Sequence, residues 1–440
     1  MKEKVRMLST YIDNIQLAVE NQKFNEKKMT VEHRSNNSKR DFLFVNKVQG
    51  KHIPTKPSDF IEMIDELAYV INTKSFLKRK RADNRFSVLV VGFAETATSI
   101  AENLAKRLVG HGEMVITTRE PEMDKLATKL LTFEEEHSHA TTQNIYFSIK
   151  EDTREVKDVL KNYSYVLFVD DEISTGNTII NFMNEFRKVE GCEHLEFGVA
   201  SICNWQNDSD KEKFKQLGIE RFYLIGGELK DKNMKMDTSS VYTIGALQLR
   251  YNKENNVNVH KVHTGNNVFC DLRTLHYPSE SAYAAEVAAL DIISDEIGIK
   301  ADGVKKKIRV LGTEEFMYSP MEIAMQLEAW GHDVKCHAST RSKIDIMSKV
   351  NLNDLMDESR NIYEIITEPS NERIDCCYKL PSIYEEGRDN YIYNINDCVD
   401  YVIVVTDRMP TDEVMRYYTN LFEEQGFCTY GNIHFIVFTD

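Results

Sequence analysis

No apolar run in this chain approaches the roughly 18 residues of a membrane-spanning helix. No charged-then-apolar leader pattern opens it, so the expected location is the cytoplasm. No C-x-x-C pair occurs among the eight cysteines, at 192, 203, 270, 336, 376, 377, 398 and 428. That argues against a thiol metal site and for free thiols in a reducing compartment. The neighbours Cys376 and Cys377 are read as packing residues. No G-x-x-x-x-G-K-[ST] stretch supports a nucleotide P-loop. Positive charge is also short: the formal net charge is -15, which excludes a broadly basic surface for nucleic acid or anionic lipid. A small anionic ligand would need local positive charge against this field.

What remains is an ordinary globular composition, 42% hydrophobic and 28% charged, in 440 residues. That length suits two or three domains. The most informative stretch runs from Tyr165 to Thr178. Val166 to Val169 reads as a buried parallel strand. Asp170 and Asp171 stand at its carboxyl end, followed by Ser174-Thr175-Gly176-Asn177-Thr178. A helix then begins, with Ile179, Ile180, Met183 and Phe186 on one face. Ligands of open α/β sheets bind at carboxyl ends of strands. Hydroxyls and backbone N–H groups at a helix start suit a phosphate. Carboxylates suit sugar hydroxyls or a metal ion. The blander alternatives are an acidic strand end of a phosphoacceptor or GTPase-like sheet, or a plain βα turn.

Other stretches follow in order. Residues 1–40 are charged, with Tyr11–Val19 a candidate short helix. Phe42–Val45 reads as a strand, and Gly50-Lys51-His52-Ile53-Pro54 as a tight basic loop before a helix at Phe60–Ile71. Either that loop packs on the core as a flap, or Lys51 and His52 face an anionic ligand. Val88–Val91 is a buried strand entering Gly92-Phe93-Ala94-Glu95-Thr96, whose small residues permit close backbone approach. A helix carrying Ala101, Leu104, Ala105 and Leu108 comes next. Met114–Arg119 is a strand with a basic end. Phe133 to Ala140 holds Glu134, Glu135, Glu136, His137 and His139. This loop could face substrate, ligate a metal through His-x-His, or be polar surface. Asn144–Ile149, Leu195–Cys203 and Phe222–Ile225 read as further strands. Trp205 reads as core before base-stacking. Val241–Leu249 and Asn256–His263 are expected to close the first domain.

A helix at Ser281–Ile297 leads to a second α/β unit. Its strands are expected at Ile308–Leu311, around Val334–Cys336, at Tyr401–Val405 and at His434–Phe438, with a helix at Asp412–Gln425. Ser319, Pro320 and Glu322 form an N-cap, N1 and capping-box pattern. Leu311-Gly312-Thr313-Glu314-Glu315 with Ser339-Thr340-Arg341 echoes Val91-Gly92-Phe93-Ala94-Glu95 with Thr117-Thr118-Arg119 at similar spacing. The second unit is expected to repeat part of the first topology, without its Asp-Asp loop. Arg341, Glu314 and Glu315 are its candidate polar site, or else a structural βα turn.

Asp170 to Thr178 resembles the signature of the type I phosphoribosyltransferases, which bind 5-phosphoribosyl-1-pyrophosphate (PRPP). Taken with Leu43–Val45, Gly50–His52, Gly92–Ala97, Thr117–Glu120 and Phe133–Ala140, the chain resembles the phosphoribosyltransferases of tellurite-resistance-associated biosynthetic clusters. Their C-terminal partner domain is named for a Thr-Arg-Ser-Pro (TRSP) motif; here Thr340-Arg341-Ser342 is followed by Lys343 instead of proline. The resemblance implies an α/β, Rossmann-like parallel-sheet phosphoribosyltransferase domain at 41–275, after an extension at 1–40. A second, smaller TRSP-like α/β domain follows at 276–440. It implies that Asp170 and Asp171 contact the ribose hydroxyls and, directly or indirectly, Mg²⁺. It assigns the 5′-phosphate to Ser174, Thr175, Gly176, Asn177 and Thr178, and pyrophosphate to Gly92, Phe93, Ala94, Glu95 and Thr96. Arg119 would neutralise pyrophosphate, Lys51 could assist, and His137 or His139 would serve as acid or base. The implied partners are PRPP and an unidentified nitrogenous acceptor, with no nucleic acid and no membrane; a homodimer is the expected assembly. A PRPP-binding regulator without catalysis is the alternative.

Overall fold

The computed structural model describes residues 6–9, 16–19, 28–33, 42–134, 142–149, 155–227, 257–263, 267–277, 282–344, 374, 376–395, 397–429 and 431–439. The chain divides into two compact units. The first is Met1–Glu26, Ile61–Lys232 and Cys270–Ser281; the second is Lys27–Phe60, Asn233–Phe269 and Ala282–Asp440. In chain order β1 (Arg6–Ser9) and β2 (Gln16–Val19) form an antiparallel pair. The helix expected at Tyr11–Val19 is therefore not formed over Gln16–Val19. So short a helix is marginal alone, and pairing satisfies the backbone instead. β3 (Met29–His33) and β4 (Phe42–Asn46) are also antiparallel and belong to the second unit.

The first unit is built on β5 (Val88–Gly92), β6 (His111–Ile116), β9 (Tyr165–Ile173), β10 (Glu196–Asn204) and β11 (Ile219–Gly226), with a hairpin of β7 (Ala127–Glu134) and β8 (Thr142–Ile149) between. The five sheet strands are parallel, in the order β11-β10-β9-β5-β6. The run Tyr165–Val169 is fully buried, as a strand covered by helices on both faces must be. Ile179, Ile180, Phe182, Met183 and Phe186 turn one side of the helix Asn177–Arg187 into the same core as Leu89, Val91, Val166 and Phe168. Strand order reverses between β5 and β9. In a doubly wound sheet that reversal opens a crevice at the carboxyl ends of the two strands.

The second unit repeats the arrangement. Its strands are β12 (Asn258–His263), β13 (Lys307–Thr313), β14 (Asp333–Ser339), β17 (Tyr401–Thr406) and β18 (Ile433–Thr439), with a hairpin of β15 (Cys377–Pro381) and β16 (Asp389–Tyr393). They are parallel in the order β12-β18-β17-β13-β14. Val402, Val404, Phe435, Met415, Leu421 and Phe422 are among its core residues.

Two details depart from the sequence reading, and one stretch is not described. The strand expected near 256–263 forms, but it pairs with β18 in the second sheet and does not close the first. The stretch 241–249 lies outside the described residues. Ser319 is not the N-cap of its helix, which spans Tyr318–Ala329. Its Oγ donates 2.8 Å to Glu286 Oε1 in a buried contact, so a tertiary partner wins over the local cap.

Candidate active site

β5 ends at Gly92, whose register partner on β9 is Val169. β9 continues to Ile173 beside β10, so Asp170, Asp171 and Glu172 are the residues that outrun β5. Sheet register alone therefore puts the two aspartates at the switch point. All three are half-buried. The Asp171 N–H donates 2.9 Å to Asp170 Oδ1, which folds that carboxylate back over the strand end. Burial, the foremost cause, pushes the Asp171 carboxyl up to about 6, despite the lowering effect of its hydrogen bonds.

The loop after β5 is clamped. The Phe93 N–H donates 2.9 Å to Val169 O, and the Thr117 N–H donates 2.8 Å to Gly92 O. The Ala94 N–H donates 2.8 Å to Thr117 Oγ1, and Gln143 Nε2 donates 3.2 Å to Ala94 O. Thr117 Oγ1 also donates to Gln143 Oε1, closing the triangle. The Ala94–Glu95 peptide is cis. A Cβ on Gly92 would stand 2.5 Å from Ala101 Cβ, so only glycine lets the helix approach the strand so closely. Phe93 contributes backbone here, because its ring is buried against Phe168 and Phe182. Arg119 follows two residues after the Thr117 clamp, half-buried and three residues past the end of β6.

The second loop is held from β10. The Trp205 N–H donates 2.7 Å to Ile173 O, and Gln206 Nε2 donates 3.1 Å to Thr175 O. Trp205 is a core residue, not an exposed stacking platform. Gln206 was not singled out from the sequence. Its signal would have been a polar residue just past a buried strand, too common to distinguish it. The helix begins at Asn177 without a side-chain cap. Ser174, Thr175, Asn177 and Thr178 are half-buried around that start, the environment in which uncapped N–H groups receive an anion. Gly176 has φ 80°, and a Cβ there would meet Phe214 Cζ at 2.3 Å. Gly176→Ala is therefore expected to cost about 3 kcal/mol, from left-handed strain and overpacking together. A urea titration of the variant beside the wild type checks this.

The remaining expected site residues belong to the second unit or lie outside the described residues. His137 and His139, with Glu135 and Glu136, fall between the described ends of the β7–β8 hairpin and are not described. Lys51 belongs to the second unit, where Nζ donates to Glu314 O at 3.0 Å and to Ser339 O at 3.3 Å. His52 is buried edge-on to Tyr393 at 5.6 Å, so this loop packs as a flap of that unit. Glu314, Glu315 and Arg341 do come together there: Arg341 Nε donates 2.9 Å to Glu314 Oε2, and Arg341 Nη2 stands 3.8 Å from Glu315 Oε1. Among the described residues no cluster of three or more His, Cys, Asp or Glu could hold a metal ion by itself. No described helix is long and apolar enough to cross a membrane.

Two loops at the switch point of a five-stranded parallel sheet, one acidic and hydroxyl-rich, one small and clamped, define a phosphoribosyl transferase type of fold. The family model for phosphoribosyl transferases named PRTase_2 matches residues 29–222, and the model for the TRSP domain, C-terminal to PRTase_2, matches residues 280–353. The chain carries a PRTase_2 phosphoribosyltransferase domain followed by a TRSP domain. No curated protein matches the chain. Among solved structures it is similar to the adenine phosphoribosyltransferase of Trypanosoma brucei in complex with AMP, pyrophosphate and ribose-5-phosphate. The identity is 15%, over 49% of this chain and 83% of that one, with a TM-score of 0.30. It is also similar to the adenine phosphoribosyltransferase of Rhodothermus marinus, at 16% identity over 46% of this chain and 95% of that one, with a TM-score of 0.30. The family models and the chain's own sheet order carry the assignment.

Proposed function

We propose that the chain transfers phosphoribose from PRPP to a nitrogen nucleophile and releases pyrophosphate, in the making of a nucleoside-like metabolite. The observation that carries this is the register that sets Asp170–Thr178 and Gly92–Thr96 at one switch point. PRPP has a phosphate, a diol and a pyrophosphate in a row. The loop Ser174–Thr178 suits the phosphate, Asp170 and Asp171 the diol, and the Gly92–Thr96 loop with Arg119 the pyrophosphate. Breaking the anomeric C–O bond leaves positive charge on the ribose and negative charge on pyrophosphate. The aspartates favour the first and Arg119 the second.

Mg²⁺ fits this donor set. It is commonly held by one or two carboxylates together with substrate phosphates, so Asp170 and Asp171 would hold it and it would supply charge neutralisation to the pyrophosphate. The acceptor is a nitrogen heterocycle or amine whose lone pair attacks the anomeric carbon.

Because Asp171 ionises near pH 6, PRPP affinity is expected to rise as pH is raised from about 5 to about 7. Calorimetric titrations at several pH values check this; affinity that falls over that range would contradict the assignment. Pyrophosphate release from PRPP, screened over nucleobase and amine acceptors, tests the reaction itself. PRPP binding with no acceptor-dependent release would favour a regulatory protein instead.

A further inference from the structure

The two units agree beyond their sheet order. Gly92 pairs with Ile116 across β5 and β6, and Gly312 pairs with Ala338 across β13 and β14. Both glycines are close-packed: a Cβ on Gly312 would stand 2.6 Å from Phe316 O and 3.2 Å from Pro320 Cγ. Two residues on, the Ala94 N–H meets Thr117 Oγ1, and the Glu314 N–H meets Ser339 Oγ at 3.3 Å. Thr117 and Ser339 each directly follow the glycine's register partner. Next, Thr118 bridges to Asn144 of β8, and Thr340 bridges to Tyr391 of β16. The residue before each bridge partner is an amide, Gln143 and Asn390, and each reaches the loop residue two after the glycine. Arg119 and Arg341 then follow at matching places. The clamp is thus laid out alike in both units, with alanine at its centre in one and glutamate in the other; the amide reaches the alanine's carbonyl in the first and the glutamate's carboxylate in the second.

That glutamate is fully buried and has φ 53°. Its carboxylate is surrounded by donors from three segments. Oε2 accepts from Arg341 Nε and from Arg388 Nη2; Oε1 accepts from Ser382 Oγ and from Asn390 Nδ2 at 2.6 Å. Two guanidiniums, a hydroxyl and an amide converging on one oxyanion are the donor set of a bound phosphate or carboxylate. We propose that the second unit is a repeat of the phosphoribosyl fold whose anion position is occupied by the protein's own Glu314 carboxylate, and that the emptied position takes inorganic phosphate or pyrophosphate. At the other side of its switch point, Leu311 pairs with Val404 as Val91 pairs with Phe168, so Thr406-Asp407 holds the register places of Asp170-Asp171, and Arg408 follows. Arg408 stacks on Phe269 and Tyr384 at 4.1 and 4.5 Å from the ring centroids, and Tyr384 OH donates 2.7 Å to Asp407. The second sheet therefore keeps the architecture, and the carboxylates of Glu314 and Asp407 take their hydrogen bonds from within the same unit.

The inference rests on the fold; only its Ala94→Glu arm rests on the pyrophosphate site proposed above. Its test is Glu314→Gly in the full chain, since glycine accepts the positive φ. Pyrophosphate stoichiometry is read by calorimetry and fold by circular dichroism. Glu314→Gly is expected to bind one more pyrophosphate than the wild type, and its melting temperature to rise with added pyrophosphate more steeply. A folded Glu314→Gly with unchanged stoichiometry and no steeper rise overturns the proposal. So does a wild type whose pyrophosphate binding falls by one site in Arg341→Ala. Ala94→Glu supplies the converse. With its fold intact it is expected to lose the first unit's pyrophosphate site, and retained binding there counts against the equivalence. A wild type that binds no pyrophosphate would defeat the reaction proposed for the first unit, while the gain of one site in Glu314→Gly would still uphold this inference.

Discussion

Asp171→Asn is expected to weaken PRPP binding about 100-fold without loss of stability. Asp171 lies in the stretch of β9 beyond its pairing with β5, at the switch point. Two hydrogen bonds from a ribose diol to an ionised carboxylate contribute roughly 1.5–3 kcal/mol each. Asparagine keeps one acceptor oxygen and loses the charge, so about 2.7 kcal/mol, or 100-fold, is the expected loss. Stability should move the other way. The folded protein raises the Asp171 carboxyl to about 6 from an unperturbed value near 3.9. A raised carboxyl contributes stability that is complete below the unfolded value and is lost as pH rises through the folded one. At pH 7 to 8 the wild type therefore bears the cost of a half-buried ionised carboxylate, and asparagine removes it. The melting temperature of Asp171→Asn at pH 7.5 should equal or exceed that of the wild type, and its PRPP affinity should lose the rise between pH 5 and 7. Calorimetry with thermal melts reads both. A variant that binds PRPP as the wild type does would remove Asp171 from the ribose site, and one that melts markedly lower would make it a structural residue. Thr175→Ala, at the phosphate end of the same loop, should also lose PRPP.

The motif from Asp170 to Thr178 was legible because its chemistry is local. A buried apolar strand, two carboxylates, a glycine and a hydroxyl-rich helix start follow one another without interruption, and each has few alternatives. The loop after β5 was legible for the same reason. Lys51 and the strand at Asn258–His263 were not, because their partners are distant in sequence. Nothing near Gly50-Lys51-His52 says that its ammonium meets the carbonyls of Glu314 and Ser339, more than 250 residues away. Nothing in Asn258–His263 says that its edge belongs to β18. The clamp by Gln143 and the support by Gln206 are invisible for a related reason. A glutamine becomes informative only when the backbone carbonyl it reaches is known. The echo between the halves was visible as spacing, but its content lay in hydrogen bonds that spacing does not encode. Ser319 shows local reading overruled: its cap pattern is sound, and the buried Glu286 carboxylate is a stronger partner.

Arg119→Ala is expected to lower kcat roughly 100- to 1000-fold, the range for removing one fixed donor from a developing negative charge. Its position follows from the clamp. Thr117 is held to Gly92 and Ala94, and the Thr118 N–H and C=O are both paired with Asn144 at 2.9 and 3.0 Å. The backbone that carries Arg119 is thereby fixed to the very loop assigned to pyrophosphate. The second unit shows what an arginine in this place reaches: Arg341 meets the carboxylate of the residue two after the glycine. In the first unit that residue is Ala94, which offers no carboxylate, and a pyrophosphate oxygen would supply the equivalent acceptor. An interaction made with charge that builds during bond breaking lowers kcat when removed and leaves the acceptor KM largely unchanged. Arg119→Lys keeps the charge and loses the planar fork, so it should fall between wild type and alanine. Steady-state kinetics of pyrophosphate release, with circular dichroism as the fold control, decides the matter. A folded Arg119→Ala whose kcat stays within about threefold of wild type would move pyrophosphate neutralisation away from Arg119, since a contact made only as charge develops cannot be removed without slowing the step.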